Sequence, residues 1–89
     1  MKRLLLAFWL TALATTASAQ TCVVNDPTGT PLNVRTHPNG PILGALHNGA
    51  ALRVLQAIPD AEGRPWAYIA PIGPGKRGWV FGAFLRCER

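Results

Sequence analysis

The chain has 89 residues, with nine Lys or Arg against four Asp or Glu, a formal charge of +5, nine glycines and eight prolines. That length suits one small domain and excludes a large core. The basic residues are scattered instead of gathered in one run, which excludes a nucleic-acid surface as the main business of the chain.

Residues 1–19 read as a Sec-type signal peptide. Lys2 and Arg3 make a basic start, residues 4–14 form an apolar run of eleven, and Ala17-Ser18-Ala19 supplies small residues at both positions of an A-x-A cleavage site. The run is well short of the roughly 20 residues that a bilayer-spanning helix needs, so no stable membrane insertion is expected after cleavage. A lipoprotein signal would require a cysteine at the cleavage point, and Cys22 stands two residues too late. Without Lys2 and Arg3, seven basic residues (Arg35, Arg53, Arg64, Lys76, Arg77, Arg86, Arg89) face four acidic ones (Asp26, Asp60, Glu62, Glu88), leaving +3. Such an excess suits anionic wall polymers, lipid head groups or acidic partner proteins, or simply keeps a small domain soluble.

The remaining residues, 20–89, need a staple, because a core this small rarely holds a fold by itself. Cys22 and Cys87 lie near the two ends of that stretch, and an exported chain meets an oxidising compartment, so a disulfide joining neighbouring termini is expected, with a periplasmic or secreted location.

Every glycine and proline falls after residue 19, cutting the chain into short apolar runs that predict an all-β domain. In chain order, strands are expected at residues 21–25, 32–35, 42–46, 51–58, 66–69 and 77–81. Between them lie the turn-rich segment 26–31, the tight turn Pro38-Asn39-Gly40-Pro41, the reversal Asn48-Gly49, a polar hairpin tip over 59–65 and the turn Gly73-Pro74-Gly75. Residues 82–85 read as one helical turn, after which Arg86-Cys87 brings the end back beside the start. Alternation puts Leu52 and Val54 opposite Arg53, and Trp66 and Tyr68 opposite Ala67 and Ile69. Short strands in this number suggest a small curled barrel.

Several of these residues carry a resemblance. Leu32-Asn33-Val34-Arg35 with Pro38 soon after, Gly44 within an apolar strand, Gly49 opening the next, the aromatic-led strand at 66–69, and Gly78-Trp79-Val80 followed by Phe84-Leu85 resemble the bacterial SH3-like (SH3b) family. The resemblance covers nearly all of residues 20–89. It implies an SH3-like barrel of five to seven short strands, usually exported, that serves as a targeting module for cell-wall peptides or other proteins.

Asn33 and Arg35 suit a structural role, in which the amide bonds nearby backbone and the guanidinium bridges loop carbonyls or a carboxylate; ligand contact by Arg35 is the competing reading. No serine occurs after residue 18, and neither a nucleophile elbow nor a phosphate loop is present, so no enzyme is expected. His37 and His47 with few carboxylates nearby do not make a metal site, and no cofactor is expected. Asp60 and Glu62, at the hairpin tip, read as solvated charges. On the SH3-like path, Trp66 and Phe84 approach one shallow groove with His37 on the opposing loop and Tyr68 nearby, an aromatic surface suited to peptide recognition. Alternatively, Trp66 and Tyr68 only shield the outer wall of the barrel, while Trp79 belongs to the packing. The expected activity is therefore non-catalytic binding of envelope material such as peptidoglycan peptides, or else docking on another exported protein through the groove or through Arg64, Lys76 and Arg77.

Overall fold

A computed structural model describes residues 20–88. The signal-peptide reading of residues 1–19 lies outside the described residues, as does Arg89. Seven strands follow one another: β1 (Gln20–Val24), β2 (Leu32–Arg35), β3 (Ile42–Leu46), β4 (Ala51–Pro59), β5 (Pro65–Pro71), β6 (Gly78–Phe81) and β7 (Leu85–Cys87), with a 3-10 turn at Gly82–Phe84 between the last two. All ladders are antiparallel, and the strands form one sheet in the order β3-β2-β6-β5-β4-β1-β7.

The strands form where apolar residues alternate and stop where glycine and proline intervene. On β2, Leu32 and Val34 are buried while Asn33 and Arg35 are half-buried on the other face. On β4, Leu52 is fully buried and Arg53 is exposed. The core collects Cys22 and Val24 from β1, Leu32 and Val34 from β2, Leu46 from β3, Leu52 from β4, Ala67 and Ile69 from β5, and Val80 from β6. One sheet can bury all of these on one side only by curling around them. Two register shifts, between Val34 and Arg35 and between Val54 and Gln56, supply the local bending that curling needs.

The curled sheet nevertheless stays open, which corrects the expectation of a closed barrel. β3 and β7 are its two edges and share no ladder. β7 has only three residues, and all three are engaged with β1. At three residues, its free edge is too short to carry a ladder to β3. On the opposite edge, β3 leaves Ile42 and Leu43 at 55% and 40% exposure instead of folding them inward.

Gly78 shows how tightly β6 approaches β2. A Cβ at this position would stand 2.6 Å from Val34 Cγ1 and 2.7 Å from the Arg35 carbonyl oxygen, so only glycine fits. Gly49 takes φ +88° and donates its N–H to the Val24 carbonyl at 2.9 Å, turning the chain from β3 into β4.

The two ends of the described stretch meet, as expected for residues 20–89. Cys22 faces Cys87 across the β1–β7 ladder, and the two form a disulfide with Cα atoms 4.0 Å apart. That bond is compatible with an oxidising, exported location.

Candidate functional site

A groove of about 400 Å³ opens on the face of β2, β5 and β6 that turns away from the core, and the β1–β2 loop borders it. Its floor is aromatic. Trp66 on β5 stands directly opposite Phe81 on β6, with ring centroids 5.6 Å apart and an interplanar angle of 67°. Phe81 in turn meets Phe84 of the 3-10 turn at 5.2 Å and 78°. Both contacts are edge-to-face, the arrangement that ring quadrupoles favour.

Polar groups rise around this floor. Asn33 and Arg35 reach it from β2, because alternation sends Leu32 and Val34 toward the core and the residues between them outward. Arg64 contributes from the β4–β5 hairpin, and Asp26, Thr28 and Thr30 from the β1–β2 loop.

The hairpin wall is organised by Asp60, whose side chain is only 5% exposed. Its Oδ1 accepts the backbone N–H groups of Glu62 and Arg64, each at 2.9 Å. Its Oδ2 accepts Arg64 Nε at 2.9 Å, Trp66 Nε1 at 3.0 Å and Asn39 Nδ2 at 3.3 Å. Burial by itself would raise the Asp60 carboxyl, but the donations from Trp66, the Arg64 backbone, Asn39 and the Glu62 backbone outweigh it and hold the group well below the usual carboxylate range. The sequence reading of Asp60 as a solvated charge is thus corrected: the hairpin folds back so that its own N–H groups and the Trp66 indole enclose the carboxylate. Glu62 is the exposed member, paired only with Arg64 at 3.3 Å.

The loop wall is organised by Asp26, which is 6% exposed. Oδ1 accepts the Thr28 backbone N–H at 2.8 Å and the Thr28 hydroxyl at 2.7 Å, while Oδ2 has the Thr30 hydroxyl at 3.4 Å. The Thr28 side-chain and backbone bonds lower the carboxyl's affinity for protons, against a smaller opposing effect of burial, and Thr30 adds to the lowering. Asn48 ties the Asp26 backbone from the β3–β4 turn, accepting its N–H at 2.7 Å.

Of the four residues expected in a groove, Trp66 and Phe84 line this one together, and His37 and Tyr68 do not. Arg35 donates from Nη1 to the Gly40 carbonyl at 2.8 Å, and Asn39 adopts φ 63°, so the β2–β3 loop curls back on itself. The exposed His37 ring consequently packs over Gly40, where a Cβ would come within 2.6 Å of its Nε2, and bonds to the neighbouring Thr36 hydroxyl at 3.1 Å. Tyr68 lies two residues further along β5 and pairs with Trp79 on β6, ring centroids 5.4 Å apart, extending the aromatic face beyond the groove. Trp79 is half-buried in that pair, while its neighbour Val80 is fully buried on the core side.

Sequence reading missed Asp26, Thr28, Thr30, Arg64 and Phe81 as groove residues. The Asp-Pro-Thr-Gly run at 26–29 is a turn signature, and it marked the loop without showing what the loop overhangs. Among the described residues no three His, Cys, Asp or Glu side chains come together as a metal set. No family model, curated protein or solved structure matches the chain.

Proposed function

We propose that this protein is an exported, SH3-like binding module without catalytic machinery, and that its groove takes peptide material of the cell envelope. The observation that carries this reading is the pairing of an aromatic floor, Trp66, Phe81 and Phe84, with walls that carry both signs of charge in a space of about 400 Å³. That volume lies within the roughly 300–1,000 Å³ of ordinary ligand sites. Trp66 is itself only 5% exposed, so the ring surface left for a ligand is that of the half-buried Phe81 and Phe84, while fixed charges choose among peptides. The Cys22–Cys87 bond supports life outside the reducing cytoplasm. The curled antiparallel sheet supports the SH3-like reading, although it leaves two edges unjoined.

Sedimentation with purified peptidoglycan sacculi tests the proposal. The protein is expected in the pellet, and Phe84→Leu, which keeps apolar volume but loses the ring, is expected to weaken binding about two- to tenfold. Full recovery of the protein in the supernatant would overturn the reading.

A further inference from the structure

The loop end of the groove holds a carboxylate that has no cationic partner among the described residues. Asp26 is 6% exposed, yet every donor to its carboxylate is neutral: the Thr28 N–H, the Thr28 hydroxyl and the Thr30 hydroxyl. The ion pairs among the described residues join Arg64 to Asp60 and Glu62, and none involves Asp26. The neutral donors outweigh the penalty of burial and keep the carboxyl ionised, so a cationic ligand reaching this end of the groove meets a standing negative charge that no described cation neutralises. Oδ2 has spare acceptor capacity, since its one partner stands at 3.4 Å.

The surroundings narrow the kind of cation. Thr28 spends its hydroxyl proton on Asp26 and accepts the Thr30 hydroxyl at 2.9 Å and the Thr30 N–H at 3.4 Å, which leaves Asp26 Oδ2 and Thr30 Oγ1 as the open acceptors for the N–H donors of a primary ammonium in the same groove. Phe84 is held beside them by the bond from the Asn25 N–H to its carbonyl at 2.7 Å, and it also lines the groove. An aromatic ring next to a carboxylate suits an ammonium on a carbon stem, with the head on the oxygens and the stem or charge against the ring.

Two arginines share the groove and would repel such a group if they stood free beside it. Arg64 is balanced by Asp60 at 2.9 Å and Glu62 at 3.3 Å. Arg35 is tied to Gly40 at the far end of β2, and the three steps from Leu32 to Arg35 cover about 10 Å in an extended strand.

We propose that the Asp26 end of the groove is a subsite for a primary ammonium group, with the Asp26 carboxylate and the Thr30 hydroxyl as acceptors and Phe84 against the attached carbon. The subsite deepens the proposed function and rests on that groove being the binding surface. It assigns the ligand a free amine, such as a peptide N-terminus or the side chain of a diamino acid. Asp26 also caps its own loop, but an asparagine would cap equally well, so the turn alone does not require the charge.

The test uses the purified protein and two probes, lysine amide and its Nα,Nε-diacetyl form, followed by the backbone amide NMR shifts of residues 26–30 and Phe84. The free-amine probe is expected to move these signals and to bind at least about tenfold more tightly than the acetylated one, the worth of a charge-assisted hydrogen bond. Asp26→Asn keeps the acceptor for the Thr28 N–H and should lose a similar factor for the amine probe only. Equal affinity for the two probes, no shift with either, or an Asp26→Asn variant that binds the amine as the parent does would each overturn the subsite. Should that variant fail to fold, the two probes on the parent protein decide alone. Sacculi before and after acetylation of their free amines separate the two proposals. Equal binding to both preparations refutes the subsite and leaves the envelope reading standing. Binding of the amine probe without binding to untreated sacculi refutes the envelope reading and leaves the subsite standing. Loss of binding on acetylation supports both.

Discussion

Asp60 holds a negative charge at the tip of a hairpin, almost out of contact with water, by drawing five donors onto two oxygens. The arrangement joins three parts of the chain: the β4–β5 tip, Asn39 from the β2–β3 loop and the indole that forms the groove floor. Because the folded carboxyl is held below its unfolded range near 3.8, its contribution to stability is present above that value and is lost as pH falls through and beneath it. Asp60→Ala is therefore expected to lower the thermal midpoint clearly at pH 7, with the gap from the parent narrowing progressively below about pH 4. Melting curves followed by circular dichroism between pH 2 and pH 7 check this, and a gap that is constant with pH would sink it. Nothing in the local sequence announces the role of Asp60. Asp-Ala-Glu-Gly-Arg reads as a polar turn, and only the position of Trp66 six residues later, together with a loop 21 residues earlier, makes the aspartate a hub.

At the scale of elements, the strands were legible because glycine, proline and asparagine punctuate them. Residues 32–35 and 42–46 were expected as the structure has them, and the longest expected strand, 51–58, is β4 with one further residue. The last strand was less visible: Leu85–Cys87 is a strand only because β1 lies beside it, and three residues have too little pattern to declare themselves. Edges were not legible at all, since which strand lacks a neighbour depends on the order of the whole sheet. β3 is such an edge, and its residues 42–46, Ile-Leu-Gly-Ala-Leu, contain no charge to discourage pairing with another molecule. Ile42→Lys at this exposed position is expected to change unfolding free energy in urea by less than about 0.5 kcal/mol. It should also move the onset of light scattering to higher protein concentration. A loss of several-fold more stability would mean that Ile42 is packed and that the edge is covered.

Over the whole molecule, a thin core is closed by one covalent link. The disulfide spans 65 residues of sequence and joins the strands that carry the two ends of the described chain. A loop of that size corresponds to about 4 kcal/mol of unfolded-chain entropy in the simplest model. Replacing both cysteines, Cys22→Ala with Cys87→Ala, is expected to lower stability by about 2–5 kcal/mol in urea titrations, most of what a domain this small possesses. The unreduced and reduced parent proteins should show the same difference.

Composition and order along the chain determined that this protein is all-β, where most strands begin and end, and that its two cysteines should meet. Those properties are local or follow from counting: turn residues act on their own few neighbours, and two thiols have only each other. The tertiary structure alone decided that the sheet stays open, that Phe81 joins Trp66 and Phe84 in the groove, and that His37 turns away from it. It also decided that Asp26 and Asp60 carry buried charges. These outcomes depend on contacts between residues far apart in the chain, in which one register shift or one close approach such as Gly78 against Val34 moves a side chain from solvent to groove, and no local pattern encodes that distance.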